Sequence, residues 1–122
     1  MFELVKAFRF EAAHTLPRHI DAEASRRIHG HSYEVEVSIK GDPDPLTGMV
    51  VDLGDLERVL NEARDALDHR LLDEIADLGL PTMENLSAWI WARLLPACPG
   101  LSRVTVRRRS LDESCTYFGP TG

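Results

Sequence analysis

Residues 29–40 read HGHSYEVEVSIK, and this stretch decides the fold. Tyr33, Val35, Val37 and Ile39 fall on one parity, and Glu34, Glu36, Ser38 and Lys40 on the other. Successive side chains of a strand point to opposite faces, so the alternation is that of a strand with one buried face. The N-terminal segment carries the same period. Phe2, Leu4, Phe8, Phe10 and Ala12 share a parity that only Lys6 breaks, while Glu3, Arg9 and Glu11 take the other. His14 falls on the apolar parity of the first strand, and His29 and His31 on that of the second.

Working outward, residues 41–48 (GDPDPLTG) hold two prolines and two glycines and read as a turn or loop. A short apolar piece, 49–51, precedes Asp52, which suits an N-cap. Leu53, Leu56, Val59, Leu60, Ala63 and Leu67 then repeat at helical spacing. A loop is expected over 68–81, and Thr82 caps a second helix whose stripe is Leu86, Trp89, Ile90 and Leu94. Pro96, Pro99 and Gly100 end it, and two short strands close the chain near 103–109 and 115–118. This order predicts an α+β fold, a four-stranded antiparallel sheet with two helices on one face. Such a sheet has two open edges, which proteins cover or pair with another chain.

The 122 residues amount to a single domain, 1–122. No apolar run approaches the ~20 residues of a membrane span, and the charged N-terminus is not that of a signal peptide. A net charge of -6 disfavours nucleic acid as a partner, despite the local run Arg107–Arg109. Cys98 and Cys115 lack metal-type spacing and make no disulfide framework, which fits a reducing cytoplasm.

His29 and His31 flank Gly30 at the entrance of the second strand. Residues i and i+2 of a strand project to one face, about 6.5–7 Å apart at Cα, close enough for two imidazoles to meet one ion. If the first two strands pair, His14 joins them at the same end of the sheet. Three neutral imidazoles with an open fourth position make a catalytic zinc site; the competing reading is a rim of satisfied histidines. His19 has no such partner and reads as surface. Asp68-His69 admits two readings as well. A carboxylate can fix the tautomer of an adjacent imidazole and raise its basicity, as in a proton relay. Judged locally, the pair reads rather as a helix C-terminus whose dipole favours His69 and Arg70. Thr82 and Glu84 read locally as a helix cap and a favourable first-turn charge.

Several segments, in order, resemble the 6-pyruvoyl-tetrahydropterin and 6-carboxy-tetrahydropterin synthase family. They are F-x-F-E-A-A-H ending at His14, R-x-I-H-G-H-S-Y at 26–33, G-M-V-V-D at 48–52, L-D-H-R-L-L at 67–72, P-T-x-E-N at 81–85, and Tyr117-Phe118-Gly119. The resemblance implies the tunnelling fold, in which trimers close a barrel and two trimers stack into a hexamer. It implies a zinc lyase acting on dihydroneopterin triphosphate, a small-molecule substrate; bacterial members commonly serve the route to deazapurines such as queuosine. It maps the zinc onto His14, His29 and His31, the proton relay onto Asp68 and His69, and substrate contacts onto Thr82 and Glu84.

Two positions depart from the family pattern. Ser25 stands where the family carries the proton-moving cysteine, four residues before His29, and a serine hydroxyl is hardly ionised at neutral pH. Glu23, two residues away, is a substitute base if the loop bends, and otherwise a solvated surface acid. Counting eight residues back from Tyr117, where the family anchors the pterin ring with a glutamate, reaches Arg109. An arginine has only donors and suits a carboxylate, a phosphate or an acceptor-rich ring. The expected function is therefore a zinc-dependent lyase of this family with the usual or an altered phosphorylated substrate. The alternative is a non-catalytic, zinc-loaded oligomer that acts as a binding protein. In either case the expected species in solution is larger than a dimer, most simply a hexamer. Light scattering checks this, and a stable monomer contradicts it.

Overall fold

A computed structural model describes residues 1–20 and 22–121. In chain order its elements are β1 (Phe2–His14), α1 (Ala22–Arg26), β2 (His29–Gly41), α2 (Leu53–Leu67), β3 (Arg70–Leu71), α3 (Met83–Leu94), β4 (Leu101–Arg108) and β5 (Glu113–Tyr117). The two alternating segments form β1 and β2, paired antiparallel with Phe8 opposite Val35 and His14 opposite His29. The sheet order is β3-β1-β2-β4-β5, antiparallel except where β3 runs parallel to β1 at Ala12 and Ala13.

Among the described residues the sheet thus has five strands where four were expected, and there are three α-helices where two were expected. β3 has two residues and α1 has five, too few for a period of 2 or 3.6 to declare itself. β3 owes its place to tertiary context. After α2 the chain reverses at His69, and the His69 N–H donates to the Glu11 carbonyl at 2.6 Å, which delivers Arg70 to the edge of β1.

The apolar parities meet on one face. Phe10 stacks on Tyr33 with ring centroids 4.9 Å apart, and Val35, Val37, Val104 and Val106 are fully buried behind them. α2 covers this face with Leu56, Leu60, Ala63 and Leu67; its cap is Asp52, whose carboxylate accepts from the Gly54 and Asp55 amides. α3 adds Leu86, Ile90, Trp91 and Leu94. Trp91 rather than Trp89 is the buried tryptophan, because the buried face of α3 is Leu86, Ser87, Ile90, Trp91 and Leu94, and Trp91 lies four residues after Ser87 and three before Leu94. Trp89 sits at the margin, donating through Nε1 to the Ala76 carbonyl at 3.1 Å.

The opposite face is a lattice of charge. Arg103 bridges Glu3 at 2.7 Å and Glu36 at 3.3 Å, Arg107 reaches Glu36 at 3.3 Å, and Arg109 forks onto both oxygens of Glu34. The Arg109 fork holds the Glu34 carboxyl below its ordinary value, against the opposing effect of burial. A depressed carboxyl stabilises the fold where it is ionised and loses that contribution as pH falls through its folded value. Glu34→Gln is therefore expected to cost about 1 kcal/mol at neutral pH. The gap from the unmodified protein should close as pH drops below the ordinary carboxylate range of about 4.3. Urea melts of both proteins at pH 7 and pH 3 check this.

Candidate active site

Strand pairing builds the site's centre. His14 and His29 are directly opposite in the β1–β2 ladder, and His31 lies two residues further along β2 on the same face. The three Nε2 atoms converge: His14 to His29 is 3.0 Å and His14 to His31 is 3.1 Å. The outer nitrogens show why. His14 Nδ1 lies 2.9 Å from the Pro81 carbonyl and His29 Nδ1 2.8 Å from the Arg27 carbonyl. A carbonyl can only accept, so both Nδ1 atoms carry the proton and both Nε2 atoms present lone pairs to the centre. Lone pairs facing one another at this distance repel unless a cation lies between them. Burial lowers the basicity of His14, and burial together with the Arg108 charge lowers His31 to about 4, so both rings are neutral at pH 7.

Neutral, oriented imidazoles of this kind suit a tetrahedral ion. Zinc–nitrogen bonds of about 2.0–2.1 Å put ligand nitrogens about 3.3 Å apart, so a small outward adjustment admits the ion. Among the described residues, this is the one cluster of three or more metal-type side chains with converging ligand atoms.

Asp68 and His69 follow the end of α2. One Asp68 oxygen accepts from the Glu11 amide at 2.9 Å; the other takes Arg64 at 3.2 Å and His69 Nδ1 at 3.0 Å. The Glu11 bond, assisted by His69 and Arg64, holds the carboxyl below its ordinary value against burial. Asp68 is the C-cap of α2, as the helix-end reading required, but the His69 ring turns to Asp68. His69 sits at φ 58, a left-handed conformation that costs a non-glycine residue energy, and its side chain is 79% exposed. The lining of an open groove of about 470 Å³ includes Glu11, Gly30, His31, Ser32, His69 and Arg70; of the three converging histidines it takes in His31.

The other candidates fall as follows. Ser25 is buried in α1, whose carbonyl there accepts from the Leu16 amide at 2.7 Å. Glu23 is exposed and pairs with Arg27 at 3.0 Å, the solvated reading of that residue. Thr82 caps α3, accepting from the Asn85 amide at 3.1 Å, and Glu84 is exposed in the first turn. Arg109 is not brought to the histidines. It is held by Glu34 on the charged face and is 67% exposed. Parity is the reason: Val104, Val106 and Arg108 share the apolar side of β4, and the next residue points the other way. Counting back from Tyr117 crosses the 109–112 turn, where strand parity is not kept. Arg108 takes the position instead, with Nη1 3.5 Å from His31 Nε2 and Nη2 donating to Glu113 at 3.0 Å.

Sequence reasoning also missed Pro81, Arg27 and Asp73. The first two act through backbone carbonyls, which no side-chain pattern reports. Asp73 accepts from both the amide and the hydroxyl of Thr15, pinning the chain just after His14. Continued parity along β4 was the signal that would have found Arg108.

The family model described as 6-pyruvoyl tetrahydropterin synthase matches residues 3–120. The chain belongs to that family. It is 39% identical to the 6-carboxy-5,6,7,8-tetrahydropterin synthase of Synechocystis sp., over 98% of this chain and 95% of that one. It is 36% identical to the dihydroneopterin monophosphate aldolase of Pyrococcus furiosus, over 85% of this chain and 82% of the relative. The solved 6-pyruvoyl tetrahydropterin synthase of Caenorhabditis elegans superposes with a TM-score of 0.82 at 27% identity, covering 98% of this chain and 96% of that one.

The geometry generates a direct expectation. Protein purified without chelator and incubated with zinc should hold about one equivalent per chain, and His29→Ala should lose it. Elemental analysis checks this, and full metal content in the variant would place the site elsewhere.

Proposed function

We propose that the protein is a zinc-dependent lyase acting on the side chain of a phosphorylated dihydropterin, dihydroneopterin triphosphate or an altered relative of it. The observation that carries this reading is the convergence of three imidazole Nε2 atoms, in a chain that also orients His69 on Asp68. Two relatives, named for a tetrahydropterin synthase and a dihydroneopterin monophosphate aldolase, support the substrate class.

Zinc held by His14, His29 and His31 would supply Lewis acidity to side-chain oxygens of the substrate and so acidify the adjacent C–H bonds. Asp68, kept ionised by the Glu11 amide and Arg64, accepts the Nδ1 proton of His69 and leaves Nε2 as the proton acceptor. The left-handed backbone at His69 turns that ring off the helix axis toward the groove. In the proposed assembly, sheets join through the length of β1 that the two-residue β3 leaves uncovered and through the outer edge of β5, trimers close a barrel and two trimers make a hexamer. His69 then also has access to a neighbouring subunit's site. The free cysteines are consistent with the reducing cytoplasm inferred above, and no helix among the described residues is long and apolar enough to cross a membrane.

Ser25 is the observation that favours the non-catalytic reading, a zinc-loaded binding oligomer, since the hydroxyl does not replace a thiolate base. A turnover assay separates the two. The zinc-loaded protein should convert dihydroneopterin triphosphate slowly. His69→Gln should remove about 10²–10⁴-fold of whatever rate is present. Product analysis by mass spectrometry checks this. Turnover that His69→Gln leaves untouched would remove the relay, and complete inertness toward phosphorylated dihydropterins would favour the binding protein.

A further inference from the structure

We propose that Arg108 selects the ligand of this site, and that what it selects is an oxyanion, a carboxylate or phosphate group lying beside the metal's open position. The inference deepens the lyase reading and rests on the three-histidine metal site.

Arg108 is the one arginine on the apolar side of β4, and its side chain is only 13% exposed. Nη1 lies 3.5 Å from His31 Nε2, a lone pair that an ion in the site would claim. Nη2 is taken by Glu113, and Nε is buried with no partner at all. An ion that claims the His31 lone pair leaves Nη1 without its histidine partner, while Nη2 stays on Glu113 and Nε has none.

The charge balance points the same way. The charged side chains that act on His14 and His31 include Arg108, Asp73 and Glu113, and an imidazole that holds an ion does so in its neutral form. A divalent ion therefore leaves the centre net positive, and an anionic ligand relieves the repulsion between ion and guanidinium. Arginine offers no acceptor and keeps its charge, so a ligand edge made of N–H groups finds no partner on it. Its planar fork matches the two oxygens of a carboxylate or phosphate. Glu113, 43% exposed, holds Nη2 and so fixes the plane in which the other donors are offered to such an anion.

The test uses the full chain loaded with cobalt(II), which reports its coordination by visible absorption, and titrates it separately with inorganic phosphate and with acetate. At least one anion should bind and shift the cobalt spectrum. Arg108→Gln should weaken that binding about 10–100-fold while retaining cobalt, Arg108→Lys should recover part of it, and Arg109→Gln should leave it within twofold. The arm that responds names the oxyanion. Equal binding by Arg108→Gln, equal loss in Arg109→Gln, or no binding of either anion by the unmodified protein would overturn the proposal. Failure to take up cobalt would instead sink the metal site. The same titrations on the metal-free chain then read Arg108 alone, and a difference below twofold between unmodified protein and Arg108→Gln overturns the assignment.

Discussion

The antiparallel register of β1 against β2 is the constraint on which the rest depends. It sets Phe8 against Val35 and Phe10 against Tyr33 in the core, and at the end of the same ladder sets His14 against His29. A slip of one residue would turn every side chain of one strand to the other face. Phe8 and Phe10 would go to water, and His14 would leave the other two histidines. The core therefore holds the three histidines in register: the burial that makes the pairing unique also aims the imidazoles.

The sheet divides its two faces electrostatically. One carries apolar side chains and the three converging histidines; the other carries a lattice in which Glu34 and Glu36 are met by arginines of β4 and of the turn that follows it. Each carboxylate of that lattice lies within reach of a guanidinium, which is why so much charge is tolerated on short strands. Arg108 alone crosses to the apolar side, where its charge depresses His31 and meets Glu113. Arg108 is thus only 13% exposed, a condition unlike that of Arg109, which is 67% exposed.

Strain and support are paired at His69. Its left-handed backbone is stabilised by the bond from its own amide to Glu11, by the Asp68 carboxylate on its ring, and by the Glu11 amide on Asp68. Two of these contacts tie the helix end to β1, both at Glu11. A helix terminus that needed only to stop would be served more cheaply by glycine.

Periodicity alone determined the two long strands, the two long helices, the α+β class and the shared face of His14, His29 and His31, because burial imposes a repeat of 2 or 3.6 that the residues must obey. Asp52 and Thr82 were legible as caps for the same local reason: their side chains bond amides two or three residues on. Tertiary structure decided the rest. β3 and α1 are shorter than any readable period. The protons on His14 and His29 are set by carbonyls of Pro81 and Arg27, groups every residue carries and no sequence distinguishes. Which arginine faces the histidines was decided by parity at the end of β4, and a count across the 109–112 turn lost it because a turn does not conserve the alternation of a strand. Only the folded sheet carries that alternation through to Arg108.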